Sequence, residues 1–266
     1  MLDARSVAAL REIKSWKLEA ADEDSARYFY PVAGIESIKD GSISYVIGRK
    51  GSGKTAISEY IRGLADWNVF VTSLSFKNFP FNEIYKLSDD GFTRPSQYTT
   101  IWKFIIYNAV CSMMAKNSNI DPDIARQLSA HFNVDLERAL ARNLTKLTDK
   151  GGGFTIMGTG GNATAKSVIV ANDASWSERV NMLEDIIDAY IDDSDYYVLF
   201  DELDEDYKDI FDEHHSAQYQ DLLIGLFKAI QDVRRKLSGK NVRPIVFLRE
   251  DIFAQLRDND RNKWED

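Results

Sequence analysis

The stretch Gly48-Arg-Lys-Gly-Ser-Gly-Lys-Thr55 decides the expected fold of this chain of 266 residues. It matches the pattern G-x-x-x-x-G-K-[ST] at every fixed position, which chance would produce in roughly one chain in a hundred of this length. In this pattern the glycines allow successive backbone N–H groups to point at phosphate oxygens. We therefore expect Lys54 to contact the β- and γ-phosphates of a nucleotide and the Thr55 hydroxyl to ligate magnesium.

The segments on either side of this loop favour the same interpretation. The apolar run Ile43-Ser-Tyr-Val-Ile47 is typical of a buried parallel strand. The residues from about Lys54 to Ala65 have helical periodicity, and the positive end of such a helix adds to the attraction for phosphate. The residues expected to contact the nucleotide are Gly48, Arg49, Lys50, Gly51, Ser52, Gly53, Lys54, Thr55 and Ala56.

A second apolar run, Tyr196-Tyr-Val-Leu-Phe200, predicts a strand that ends in two carboxylates. Asp201 at its tip is placed to hold magnesium through water and to orient Thr55. Glu202 is placed to polarise a water molecule in line with the γ-phosphate. The acidic residues that follow are expected to form a solvated loop: Asp204, Glu205, Asp206, Asp209, Asp212 and Glu213.

Two further strands complete the predicted sheet, over residues 68–74 and 243–248. Their alternation with helical segments predicts an α/β fold in which helices flank a central parallel sheet. The last strand ends at Arg249, and the carboxyl ends of parallel strands face the ligand. Arg249 is therefore a candidate for sensing or stabilising the γ-phosphate, and the alternative is that it pairs with the acidic strand end or with Asp251.

The rest of the chain divides into three parts. Residues 1–25 form a predicted N-terminal helical segment, and residues 26–266 form the core. The interval of about 110–180 is predicted to be an insertion of helices and a β-hairpin, because glycine runs flank the short apolar segments 154–157 and 167–170.

Composition excludes several classes of protein. Lys plus Arg is 33 and Asp plus Glu is 42, so the net charge is -9 and a chain-wide basic surface for nucleic acid is absent. The single cysteine, Cys111, excludes an internal disulfide and a cysteine-based zinc site. The N-terminus has no apolar signal segment, and no stretch has the length and apolarity of a membrane span, which predicts a cytoplasmic protein with no membrane contact.

Three segments together resemble a known family. They are Val46-Ile-Gly-Arg-Lys-Gly-Ser-Gly-Lys-Thr-Ala-Ile57, Leu199-Phe-Asp-Glu-Leu-Asp204 and Phe247-Leu-Arg-Glu-Asp-Ile-Phe253. The combination resembles the P-loop ATPases of the AAA+/STAND branch, and more narrowly it is similar to bacterial P-loop ATPases of anti-phage defence systems. The resemblance covers about residues 25–266, and the third segment is its narrower marker.

The resemblance implies roles for individual residues. The nucleotide lysine of the Walker A motif falls on Lys54 and its magnesium hydroxyl on Thr55, the Walker B pair on Asp201 and Glu202, and the first sensor on Arg249. It implies ATP and Mg²⁺ as cofactors, catalysis by Glu202, Lys54 and Arg249, nucleotide-controlled homo-oligomerisation, and coupling to an effector protein or a nucleic acid. Such proteins usually continue into a helical lid and a winged helix after the last core strand, and we expect neither of these within the sequence up to Asp266.

Other functions are compatible with parts of the sequence. A nucleotide-dependent assembly scaffold with little or no hydrolysis would use the same loop, and a P-loop kinase shares the first motif. An ABC-type ATPase is rejected, because its signature should precede the acidic strand whereas Leu237-Ser-Gly239 follows it. Adjacent histidines, His214 and His215, cannot share one helix face, which argues against a metal site there.

Basic residues outside the loop leave two further questions open. The predicted hairpin carries Lys146, Lys150 and Lys166, which favours DNA binding only weakly over a mobile surface loop or an oligomer contact. Five cationic residues are equal candidates for a finger that reaches a neighbouring subunit: Arg234, Arg235, Arg257, Arg261 and Lys263.

Overall fold

The computed structural model describes residues 34–75, 94–132, 155–157, 167–169, 175–203, 213–256 and 264. The predicted segment 1–25, the hairpin lysines, the acidic residues 204–212 and the candidate fingers beyond residue 256 lie outside the described residues. The helices are α1 (Ile35–Lys39), α2 (Lys54–Arg62), α3 (Arg94–Met114), α4 (Pro122–Phe132), α5 (Trp176–Tyr190), α6 (Glu213–Lys236) and α7 (Glu250–Phe253). The strands are β1 (Tyr45–Gly48), β2 (Val69–Ser75), β3 (Thr155–Met157), β4 (Ser167–Ile169), β5 (Asp195–Asp201) and β6 (Val242–Arg249).

Four strands form one parallel sheet in the order β1–β6–β5–β2. The predicted α/β class with a central parallel sheet is therefore confirmed. Strand β6 lies between β1, which precedes the glycine-rich loop, and β5, which ends in two carboxylates. Because all four strands are parallel, their carboxyl ends lie at one edge of the sheet, which we call the carboxyl edge.

Helices cover both faces of this sheet. On β5, Tyr197 and Leu199 belong to a buried cluster with residues of α1 and α2, whereas Val198 and Phe200 belong to a cluster with α3, α5 and α6. Burial on both faces explains why the strands are continuous apolar runs rather than alternating ones.

Helices α3 and α6 approach each other closely on one face. A Cβ added at Gly225 of α6 would lie 2.6 Å from the Cβ of Tyr98 on α3, so the glycine sets the separation of the two backbones. The indole Nε1 of Trp102 donates a hydrogen bond of 2.9 Å to the carbonyl of Leu222. The ring of Trp102 also meets Phe200 of β5 edge to face at 5.8 Å, which connects the helix pair to the sheet.

The interval predicted to be an insertion contains α4 and a separate antiparallel pair, β3 and β4, so the predicted pairing of the two short strands is confirmed. Helix α3 continues past residue 110 to Met114, and its last residues are buried in the main cluster. Helix α4 begins at Pro122, where the carboxylate of Asp121 accepts hydrogen bonds from the backbone of Asp123 and Ile124. None of the described helices has the length and apolar character needed to cross a membrane.

Candidate functional site

The glycine-rich loop connects β1 to α2 at the carboxyl edge. Gly51 and Gly53 have φ angles of 78° and 89°, a left-handed conformation that other residues adopt only with strain. A Cβ at either position would meet nothing within 4 Å, so the backbone conformation rather than a lack of space requires glycine. Gly48, at the start of the loop, must be glycine for a different reason. A Cβ at this position would lie 2.5 Å from the Oγ of Ser52.

The side chain of Lys54 is folded back onto this loop. Its Nζ donates hydrogen bonds of 3.0 Å to the carbonyl oxygens of Gly48 and Arg49. A backbone hydrogen bond of 3.1 Å from Ser52 to the Arg49 carbonyl closes the turn. Thr55 follows in the first turn of α2 and is partly exposed. The ammonium group is thus held close to the backbone groups that the sequence predicts to bind phosphate.

The carboxylate pair lies at the end of β5, at the same edge of the sheet. Glu202 has a φ angle of 57°, and it is the only non-glycine residue in the described part of the chain with a positive φ. Its backbone N–H donates a hydrogen bond of 2.8 Å to Oδ1 of Asp201. Strained backbone of this kind occurs preferentially at functional sites, where the surrounding structure maintains it.

The carboxylate of Glu202 has a partner that the sequence analysis missed. The hydroxyl of Ser75 donates a short hydrogen bond to Oε2 of Glu202. Ser75 is the last residue of β2 and is the register partner of Asp201 on β5. The sequence contained one signal for this contact. Ser75 is a polar residue directly after an apolar run, and the carboxyl ends of parallel strands lie at one edge of the sheet.

Arg249 lies at the end of β6, next to the start of the glycine-rich loop. It is the register partner of Gly48, and its strand separates the loop strand from the acidic strand. Its Nε and Nη2 atoms donate hydrogen bonds of 3.0 Å and 2.6 Å to the two carboxylate oxygens of Asp251. The hydrogen bonds from Arg249 lower the pKa of Asp251, so this carboxylate stays charged. The pairing of Arg249 with Asp251, one of the contacts expected for it, is therefore present.

A cavity of about 420 Å³ adjoins the loop at this position. It is lined by Arg49, Lys50, Arg249, Glu250, Asp251 and Ala254. The Nε atom of Arg49 lies 3.2 Å from a carboxylate oxygen of Glu250, and the Arg49 side chain is 86% exposed. Arg49 therefore reaches the turn between β6 and α7, and Lys50 lines the same cavity.

Two of the candidate finger residues lie away from the loop. Arg234 donates hydrogen bonds to the carbonyls of Gly41 and Ser42, and Arg235 pairs with Asp232 on the same helix. Both are in the last turn of α6, which ends before β6 begins, so they lie at the opposite edge of the sheet from the loop. Within the described residues, no cluster of three His, Cys, Asp or Glu side chains forms a metal site.

No protein-family model, curated protein or solved structure matches this chain. Its function is therefore inferred from the residues at the carboxyl edge and from their geometry.

Proposed function

We propose that this protein binds ATP with Mg²⁺ and hydrolyses it at the carboxyl edge of the sheet, as a nucleotide-driven switch or motor. One observation carries the proposal. The glycine-rich loop and the Asp201–Glu202 turn lie at the same edge of one parallel sheet, with only the strand of Arg249 between them. Binding at the carboxyl ends of strands is the general rule for ligands of open α/β sheets.

Binding uses the loop and Lys54. The loop is turned by two left-handed glycines, a conformation that aligns backbone N–H groups towards an anion. The ammonium group of Lys54 now contacts two neutral carbonyl oxygens. Phosphate oxygens carry full charge and form stronger hydrogen bonds with an ammonium group, so a nucleotide would replace those carbonyls as the partner of Lys54.

The residues also fit magnesium. Mg²⁺ prefers hard oxygen ligands, keeps several waters and is commonly bound by one or two carboxylates or hydroxyls together with substrate phosphates. The Thr55 hydroxyl and the Asp201 carboxylate supply such oxygens, and both residues are partly exposed at this edge. When bound, the ion would neutralise charge on the β- and γ-phosphate oxygens.

Hydrolysis is assigned to Glu202. Its carboxylate is oriented by the Ser75 hydroxyl and by the left-handed backbone at residue 202. We assign it the role of orienting the attacking water and accepting its proton. Ser75 acts through Glu202 and is therefore a positioning residue.

The test compares binding with turnover in three variants. Calorimetry with MgATP and a phosphate-release assay are applied to the wild type, Lys54→Ala, Glu202→Gln and Lys240→Ala. Lys54→Ala should lose ATP binding by at least about tenfold, because a charge-assisted phosphate contact disappears. Glu202→Gln should retain binding and lose about a hundredfold or more of turnover. Lys240→Ala removes the same charge near the start of β6, at the opposite edge, and should match the wild type.

The same data separate the competing functions. A wild-type protein that binds no nucleoside triphosphate would refute the proposal. Binding of ATP with Mg²⁺ and no phosphate release would instead support the assembly scaffold, and sizing with and without ATP would then measure nucleotide-dependent assembly. Homo-oligomerisation, coupling to an effector or nucleic acid, and a role in anti-phage defence come from the resemblance and stay predictions.

A further inference from the structure

The turn between β6 and α7 holds two charged residues in a paired geometry. The guanidinium of Arg249 meets both oxygens of Asp251, with Nε–Oδ1 and Nη2–Oδ2 distances of 3.0 Å and 2.6 Å. Two parallel hydrogen bonds of this kind form the stronger class of arginine–carboxylate contact. The same edge of N–H donors on a guanidinium binds phosphate oxygens, so a carboxylate and a phosphate compete for it.

This pair lies next to the proposed phosphate site. Arg249 is the register partner of Gly48, and both members of the pair line the cavity that adjoins the loop. The Arg249 side chain is 24% exposed and that of Asp251 is 54% exposed. The carboxylate can therefore exchange the guanidinium for water without becoming a buried, unpaired charge.

We propose that Asp251 is a positioning residue that competes with the terminal phosphate of ATP for Arg249 and thereby lowers the preference of the site for ATP over ADP. This inference rests on the proposed function, because it requires a nucleotide in the loop. A triphosphate carries one phosphate more than a diphosphate, and the proposal places that terminal phosphate at Arg249, next to the start of the loop. Only ATP therefore has to displace Asp251, and ADP leaves the pair intact.

The experiment measures the ratio of two affinities. The β,γ-imido analogue of ATP and ADP, each with Mg²⁺, are titrated into the wild type and into Asp251→Asn. Removal of the competing charge should tighten binding of the ATP analogue about fivefold, which corresponds to about 1 kcal/mol, and leave ADP binding within about twofold. In an Arg249→Gln background the effect of Asp251→Asn should disappear, because the two residues act as one unit.

Glu250→Gln is the matched control. It removes the same charge from the preceding residue, which also lines the cavity but pairs with the exposed Arg49. The affinity ratio should stay within about twofold of the wild type. Asp251→Ser also removes the carboxylate. If Asp251→Asn does not fold, the same affinity ratio is measured in Asp251→Ser, with the same expected change.

Three results would overturn the role of Asp251 while leaving the proposed function in place. They are an unchanged ratio in Asp251→Asn, equal tightening of both nucleotides, and an effect that persists without Arg249. A wild-type protein that binds neither nucleotide would refute the proposed function itself, and this inference with it.

Discussion

Replacing Glu184 should destabilise the fold by an amount that depends on pH. Glu184 lies on α5, and its side chain is 10% exposed. One of its oxygens accepts a hydrogen bond of 2.9 Å from the fully buried Tyr107 of α3, and the other lies 2.9 Å from Nζ of Lys236 on α6. A second cation, Lys103 of α3, lies 3.6 Å away. One carboxylate therefore connects three helices that cover the same face of the sheet.

The size of the effect follows from what each partner loses. Glu184→Ala leaves the buried Tyr107 hydroxyl without its acceptor, which costs about 1–3 kcal/mol. The Lys236 side chain is 57% exposed and can be solvated by water, so the loss of that pair adds at most about 1 kcal/mol. We expect a loss of about 1–4 kcal/mol for Glu184→Ala. Glu184→Gln retains an acceptor for Tyr107 and should lose about 1–2 kcal/mol.

The pH dependence has a definite sign. Burial by itself would raise the pKa of Glu184, but hydrogen bonds from Lys236 and Tyr107 and the charge of Lys103 outweigh it and lower the pKa. A carboxylate whose pKa is lower in the folded state stabilises the fold above its unfolded pKa of about 4.3. This contribution is lost as the pH falls through the folded pKa. The difference in unfolding free energy between the wild type and Glu184→Gln should therefore have its maximum value at a pH of about 7 and decrease below about pH 4.3.

Urea denaturation followed by tryptophan fluorescence at a series of pH values measures this difference. Asp185→Asn is the control, because it removes an exposed carboxylate from the next residue of α5 and should change stability by less than about 0.5 kcal/mol. Equal stability of Glu184→Gln and the wild type at neutral pH would refute the reasoning. A difference that did not shrink on acidification would refute the electrostatic part of it.

Further predictions concern the loop, the helix contact and the ion. Gly48→Ala should weaken ATP binding because its Cβ would clash with the Ser52 hydroxyl, and Ser52→Ala in the same chain should restore binding measured by calorimetry. Gly225→Ala should lower the unfolding free energy by about 1–3 kcal/mol, because its Cβ would meet Tyr98, whereas Gly239→Ala, which has open space, should have little effect in the same urea assay. Chelation of Mg²⁺ should abolish phosphate release, and release that continued in excess chelator would exclude magnesium from the reaction.

The elements that depend on local patterns could be predicted from the sequence. The loop between β1 and α2 contains left-handed glycines at 51 and 53. Gly53 occurs where the pattern requires a glycine, whereas Gly51 stands at a position that the pattern leaves open. The strands β5 and β6 are continuous apolar runs because both of their faces are buried. Helix α4 begins at the Asp121-Pro122 signal, since a cap and a first-turn proline act within a few residues.

The arrangement of the carboxyl edge came only from the tertiary structure. Ser75 and Glu202 are 127 residues apart, and nothing near either residue predicts their hydrogen bond. The sequence was compatible with a contact of Arg249 either with the acidic strand end or with Asp251. The turn from β6 into α7 places Asp251 within hydrogen-bond distance of Arg249. Strand order likewise depends on how the helices cover the two faces of the sheet. Turns and burial periods are properties of neighbouring residues, whereas partners across the sheet are selected by the packing of the whole chain.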